Sequence, residues 1–343
     1  MRKLVAILLL IVAAGFGIQK AIVIFSGPPD YSGTGTTSVT IEVTEGQTLA
    51  AVGNTLKQAH VVKSVDSFIA AAQANPDSGH LQPGVYQLKL HMSSASALAS
   101  ILNGQSRVSN KVVIPEGKRV TWILNRIHQA TKLPLVDLQA SVDHAQSFGL
   151  PAYAHGNPEG FLFPATYSFS PTATSDDVIK AMIAKFNEQS AAINLDNRAS
   201  AIGKTPYEIL KVASLLQVEA HPRDFSKVAQ VVYNRLNAPM RLQFDSTVNY
   251  GLKKSDVILT TSQLAIDTPY NMYLHDGLPP TPINNPGTAA IEAALTPKAG
   301  NWLYFITTNL DSQETKFTDS YNTFLTYKNE FLAYCSAHQG KCY

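Results

Sequence analysis

The chain has 343 residues, 45% of them hydrophobic, which is enough for two domains at about 150 residues each and too apolar for disorder throughout. Only 15% of residues are charged, and 27 Lys and Arg against 25 Asp and Glu leave a formal net charge of +2, so no basic field exists to hold a nucleic-acid backbone. Two cysteines, Cys335 and Cys342, exclude a disulfide-built scaffold and a cysteine-rich zinc site; they fit equally a small terminal disulfide loop and two free thiols in a tail.

Met1-Arg2-Lys3 precedes an apolar run from Leu4 to Ile18, then Gln19, Lys20 and a second apolar stretch to Phe25. A cleaved signal peptide shares the basic start and the apolar core, but more apolar residues follow its best cleavage site, Ala13-Ala14-Gly15. Residues 1–25 are therefore read as a transmembrane helix, with the Lys20 ammonium extended toward the far interface. Arg2 and Lys3 keep the N-terminus cytoplasmic, which exports the bulk of the chain in either reading. Residues 26–40, rich in Gly, Pro, Ser and Thr, read as a flexible linker.

Val43-Thr44-Glu45-Gly46 recurs as Ile114-Pro115-Glu116-Gly117. Apolar residues follow each at helical spacing: Leu49, Val52 and Leu56 after the first, Val120, Ile123 and Ile127 after the second. Gly84–Leu88 and Gly160–Pro164 each read as a return strand, so two small, related α/β modules are expected.

Thr205-Pro206-Tyr207-Glu208 combines a capping box with proline at the first helical position and predicts a helix start. Apolar residues follow at Ile209, Val212, Ala213, Leu215 and Leu216, and the same face then reaches Glu219 where an aliphatic residue is expected. Pro222 ends the helix just beyond. Burial and the negative end of the helix dipole both raise a carboxyl pKa, as a general acid requires; a glutamate at a helix end can also bend back into water. Asp224 is placed to cap a second amphipathic helix carrying Val228, Val231, Val232 and Leu236. In Met240–Gly251, an extended backbone would set Arg241, Gln243 and Asp245 on one side and Leu242 and Phe244 on the other. A proline-stiffened loop from Gly277 to Gly287 should then lead into an Ala-rich helix from about Thr288 to Leu295 and form a cleft wall.

These segments together resemble the YceG-like (MltG) endolytic murein lytic transglycosylases. The carrying motifs are PEG at 115–117, EGFLFPATY at 159–167, ASLLQVEA at 213–220, VVYNRL at 231–236, MRLQFDSTVNYG at 240–251, PYNMY at 269–273 and GLPPTPINNPG at 277–287. The resemblance runs from about Ile41 to Phe317. It implies a mixed α/β (α+β) protein with an N-terminal transmembrane helix, a LysM-like region over 41–175 holding the two modules, a catalytic domain over 176–330 and a tail over 331–343. It implies Glu219 as the catalytic acid and Gln243, Asp245, Tyr250 and Asn271 as residues that contact substrate.

The reaction it implies cleaves the bond after N-acetylmuramic acid and closes a 1,6-anhydro ring with the sugar's own C6 hydroxyl, so that one carboxyl serves as acid and then base. No metal or other cofactor is needed. The partners implied are peptidoglycan glycan strands, the inner membrane and cell-wall synthases, without nucleic acid. The alternative reading is a catalytically weak peptidoglycan-binding scaffold. The chain departs from the family pattern at Gln217, where Glu is usual, at Ala165, where Asp is usual, and at Thr315 and Phe324, where His is usual.

Overall fold

Short strands and side-chain-capped helices alternate through the first part of the chain. The computed structural model describes residues 27–256, 259–338 and 340–342. The expected transmembrane helix over 1–25 lies outside them, and among the described residues no helix is long and apolar enough to cross a membrane. The chain forms two compact units: one reaches to Asn110 and includes Ser168–Thr172, and the other comprises Lys111–Tyr167 and the chain from Ala173 onward.

In the first unit, β1 (Ser38–Val43) turns Ile41 and Val43 inward. The Glu45-Gly46 turn and α1 (Leu49–Gln58) follow, the helix capped by the Thr48 hydroxyl accepting from the Ala51 N–H. Next come α2 (Val65–Gln73), β2 (Gly84–Lys89), α3 (Ser94–Leu102) and β3 (Arg107–Val108). The three strands form one antiparallel sheet in the order β1-β2-β3, with Ser38 opposite Lys89 and Val43 opposite Gly84. Leu56, Phe68, Tyr86, Leu88 and Leu98 fill the core between sheet and helices. The expected strand, Glu-Gly turn, helix and return strand of the first module are all present.

After β4 (Asn110–Val113), the second copy of the motif gives a Pro115–Gly117 turn and α4 (Val120–Thr131), and α5 (Leu135–Asp143) follows. The expected return strand at Gly160–Pro164 does not form. Gly160 and Leu162 instead donate their N–H groups to the Asn285 side-chain oxygen at 3.1 and 2.8 Å, and the strand β5 (Thr166–Phe169) begins only beyond Pro164. Gly160 has φ +96°, and a Cβ there would lie 2.7 Å from the Pro282 ring, so both backbone conformation and space call for glycine. Residues 111–167 pack within the second unit, whereas the expected region of two modules spans 41–175.

The rest of the second unit is mainly helical: α6 (Ser175–Ala192), α7 (Leu195–Ala201), α8 (Pro206–Glu219), α9 (Phe225–Asn237), α10 (Asp245–Gly251), α11 (Thr261–Leu264) and α12 (Thr288–Leu295). A hairpin of β6 (Tyr304–Asn309) and β7 (Glu314–Thr318) follows, then α13 (Tyr321–Ala337), with Cys335 and Cys342 joined in a disulfide. At the centre is α8, which packs against α7, α9, α10 and α12. Its Ile209, Leu210, Val212, Ala213, Leu215 and Leu216 are wholly buried, and small residues on the facing α12, Ala290 and Ala294, allow close approach. Asp224 occupies the expected cap position of α9 but makes no cap bond; Arg223 Nε lies 3.6 Å from its buried carboxylate oxygen, which has no hydrogen bond.

Asn285 ties this unit together. Besides accepting from Gly160 and Leu162, its side-chain amide donates to the Lys118 carbonyl and to Glu159 Oε1, both at 2.9 Å, and its backbone pairs with Gly117 and Lys118. Asn285→Ala leaves the buried Gly160 and Leu162 N–H groups without partners, each costing about 1–3 kcal/mol, and removes one of the bonds to the Lys118 carbonyl and to Glu159, so a net loss of about 2 kcal/mol or more is expected. Thermal unfolding should show a Tm roughly 4–8 °C below the parent. A Tm within about 2 °C of the parent would contradict this role.

Candidate active site

The Thr205–Glu208 capping box and Pro206 start α8 as expected: the Thr205 hydroxyl accepts from the Glu208 N–H, and the Glu208 carboxylate accepts from the Thr205 N–H at 2.8 Å. The helix ends at Glu219 because Ala220 is extended and Pro222 cannot continue it. Glu219 therefore stands in the last turn of a buried helix. Burial of its carboxyl pushes the pKa up to about 7, and the adjacent negative charge of Asp245 adds to the rise. The Ser246 hydroxyl and backbone N–H face the carboxyl and pull the other way. The Ser246 hydroxyl is buried and makes no hydrogen bond of normal geometry.

Asp245 opens α10 and accepts a 2.6 Å hydrogen bond from the Tyr273 hydroxyl. Tyr273 is held in turn by Asn271, whose side-chain oxygen accepts from the Tyr273 N–H at 3.0 Å. The Asn271 amide donates to the Leu264 and Ile266 carbonyls. Asn271 is fully buried with both side-chain polar atoms bonded inside the protein, so it sets the loop under Tyr273 and presents no exposed polar atom. The structure thus brings Glu219, Asp245, Ser246 and Tyr273 together.

Leu242 and Phe244 are buried and Arg241 and Gln243 exposed, as the alternating pattern requires. No strand forms over 240–244, however, and α10 begins at Asp245, so Asp245 is set by a helix rather than by an extended backbone. Gln243 is held at φ +53°, in the left-handed region, its backbone N–H donating to the Met272 carbonyl at 3.1 Å. Arg241 is engaged by Asp276 and the Tyr273 carbonyl.

Tyr250 lies one turn further along α10 and donates to a second buried acid, Glu159, at 3.2 Å. Sequence reasoning missed Glu159 as a titrating group. Its one local signal was a carboxylate leading directly into the apolar run Phe161-Leu162-Phe163. Burial raises its pKa to about 7, against the lowering effect of the Val120 N–H, the Tyr250 hydroxyl, the Arg119 charge and the Asn285 amide.

The family departures have local partners. Gln217 Oε1 accepts from the Gly287 N–H at 2.9 Å, and its amide donates to Glu116 at 3.3 Å. A glutamate could do the first but would set its charge against that of Glu116. The Ala165 carbonyl accepts from the Ile114 N–H, the Thr315 hydroxyl lies 3.1 Å from that of Thr307, and Phe324 stacks on Tyr304 at 5.4 Å. None of these changes removes the acid at Glu219.

A protonated carboxyl beside a second carboxylate is an acid–base arrangement. The YceG-like family model matches residues 41–330, and the chain belongs to that family. It is 32% identical over 286 residues to an endolytic murein transglycosylase of Bacillus subtilis, covering 79% of each chain. It is 31% identical over 307 residues to the endolytic murein transglycosylase of Streptococcus pneumoniae D39, covering 78% of this chain and 54% of that longer one. Among solved structures, a putative yceG-like protein from Listeria monocytogenes matches 84% of this chain and 98% of its own, with a TM-score of 0.58 and 28% identity.

Because the folded-state pKa of Glu219 lies above its ordinary value of 4.5, the folded state binds the proton more tightly than the unfolded chain. The associated stability is complete below about pH 4.5 and is lost as the pH rises to about 7. Glu219→Gln does not titrate, so its Tm relative to the parent should be clearly higher at pH 8.5 than at pH 4.5. The same Tm difference at both pH values would contradict a buried, raised carboxyl.

Proposed function

We propose that this protein is an endolytic peptidoglycan lytic transglycosylase that cuts the β-1,4 bond between N-acetylmuramic acid and N-acetylglucosamine within nascent glycan strands, leaving 1,6-anhydromuramic ends. The observation that carries the reading is the Glu219 carboxyl, held near neutral pKa beside Asp245 in a chain of the YceG-like family. In the first step neutral Glu219 gives its proton to the glycosidic oxygen as that bond to C1 breaks. The muramic C6 hydroxyl then attacks C1 and gives its proton to the Glu219 carboxylate, which regenerates the acid and closes the anhydro ring. Positive charge builds on the sugar ring between these events, and the Asp245 carboxylate, fixed by Tyr273, supplies the fixed negative charge that stabilises it. No water is activated, so a second catalytic base is not required.

Anchoring through Leu4–Phe25, with the active unit outside the cytoplasmic membrane, belongs to the same proposal and rests on the apolar run behind Arg2 and Lys3. So does action beside cell-wall synthases, since an internal cut in a strand still being polymerised ends its elongation.

Full-length protein incubated with peptidoglycan should release fragments ending in 1,6-anhydromuramic acid, identified by mass. Glu219→Gln should lower that rate by about 10²–10⁴-fold, the usual worth of general acid–base catalysis. Ordinary reducing ends would indicate hydrolysis, and retained glycan binding without any cleavage would make the protein a scaffold.

A further inference from the structure

A cavity of about 500 Å³ opens beside Glu159 in the second unit, with Arg119, Lys253, Tyr250 and Tyr270 in its wall. Arg119 is half-buried, yet among the described residues its guanidinium makes only a long hydrogen bond, 3.5 Å to the Asn249 carbonyl, and lies 5.2 Å from the centre of the Tyr250 ring. Among the described residues, no carboxylate lies within ion-pair distance of Arg119 or of Lys253. Glu159, the buried acid of the same wall, is engaged elsewhere, by the Val120 N–H, the Asn285 amide and the Tyr250 hydroxyl. Arg119 feels the charge of Glu159 but makes no direct ion pair with it, and a partly desolvated guanidinium whose donor fork is left free in this way favours an anion, above all a planar carboxylate. The volume falls within the roughly 300–1,000 Å³ of small-ligand pockets.

Helix α10 relates this cavity to the catalytic acid. Ser246 faces Glu219, and Tyr250, four residues on and on the same helix face, faces Glu159. That separation is one turn, about 6 Å along the axis.

We propose that this cavity is a carboxylate-binding subsite, in which Arg119 and Lys253 take an acidic group of the peptide borne by the glycan strand while Tyr250 and Tyr270 pack against its apolar part. The assignment rests on the reaction proposed above: muramic acid carries the peptide stems, so a strand with its scissile bond at Glu219 brings stem carboxylates close to that bond. Glu159 is here a positioning residue. It holds the Tyr250 ring and the first turn of α4, next to Arg119, in place. The groups facing Glu159 are Arg119, the Val120 N–H, Tyr250 and Asn285. With its pKa near 7, Glu159 is mostly neutral in mildly acidic solution and then does not repel an incoming carboxylate. Affinity for the acid form should therefore rise from pH 8 to pH 6.

The test is calorimetric titration of the full-length protein with a soluble muramoyl peptide, in its free-acid form and with every carboxylate converted to the amide. The parent should bind the free acid at least tenfold more tightly. Arg119→Met should abolish this preference, Arg119→Lys should keep part of it, and Lys253→Met, at an exposed position, should weaken it less. Equal affinity for the two forms in the parent, binding of neither form, or an unchanged preference in an Arg119→Met variant with parental Tm would overturn the subsite. Binding is read without cleavage. In the parent, equal affinity for the two forms while anhydro ends still form rejects the subsite alone, whereas a clear preference without such ends rejects the reaction alone.

Discussion

The second unit depends on the hydrogen bonds of one wholly buried side chain, Asn285. Its amide reaches three segments that are far apart in sequence: the turn after Pro115-Glu116-Gly117, the turn at Gly160–Leu162 and, through its own backbone, the proline-rich loop before α12. An asparagine suits the position because it accepts two N–H bonds on its oxygen while donating two through its nitrogen. An aspartate would supply the acceptors but set a second negative charge against Glu159. Two buried N–H groups are satisfied by one residue, and the same residue fixes one oxygen of the Glu159 carboxyl.

Helix α10 connects this clasp to the catalytic acid. The left-handed Gln243 lets the chain turn into the helix at Asp245, which Tyr273 holds. One turn along, Tyr250 meets Glu159. The two acids with raised pKa values are therefore positioned by a single seven-residue helix, one beside its first turn and the other beside its last. Gln217 adds a further tie, joining α8 two residues before Glu219 to Gly287 and Glu116. The Gln217 amide both donates and accepts there, which a glutamate carboxylate could not do.

What was legible in the sequence was what short-range chemistry decides. The capping box at Thr205 and Glu208, the apolar face of α8 and the proline stop place Glu219 in the last turn, and all of these lie within eighteen residues of sequence. The Ala-rich α12 and the first strand–turn–helix module are local in the same sense. The second module shows where such reasoning ends. Gly160–Pro164 carries the composition of a strand, but its N–H groups are taken by a side chain 125 residues away, which no local pattern reports. The burial of Asn271 is hidden for a similar reason: its motif position is visible, but its enclosure depends on bonds to the Leu264 and Ile266 carbonyls, which only the folded loop supplies. Glu159 is hidden in the sequence because its pKa is raised by burial, against the opposing pull of Val120, Tyr250, Arg119 and Asn285, and only the folded chain creates that enclosure.

The central claim is that Glu219 carries its proton close to neutral pH because of where α8 ends. Nuclear magnetic resonance titration of protein labelled with carbon-13 at the glutamate carboxyl measures this directly, with Glu219→Gln identifying the signal that disappears. The account predicts a midpoint near 7 for that signal. A midpoint near 4.5, the ordinary value for glutamate, would contradict it.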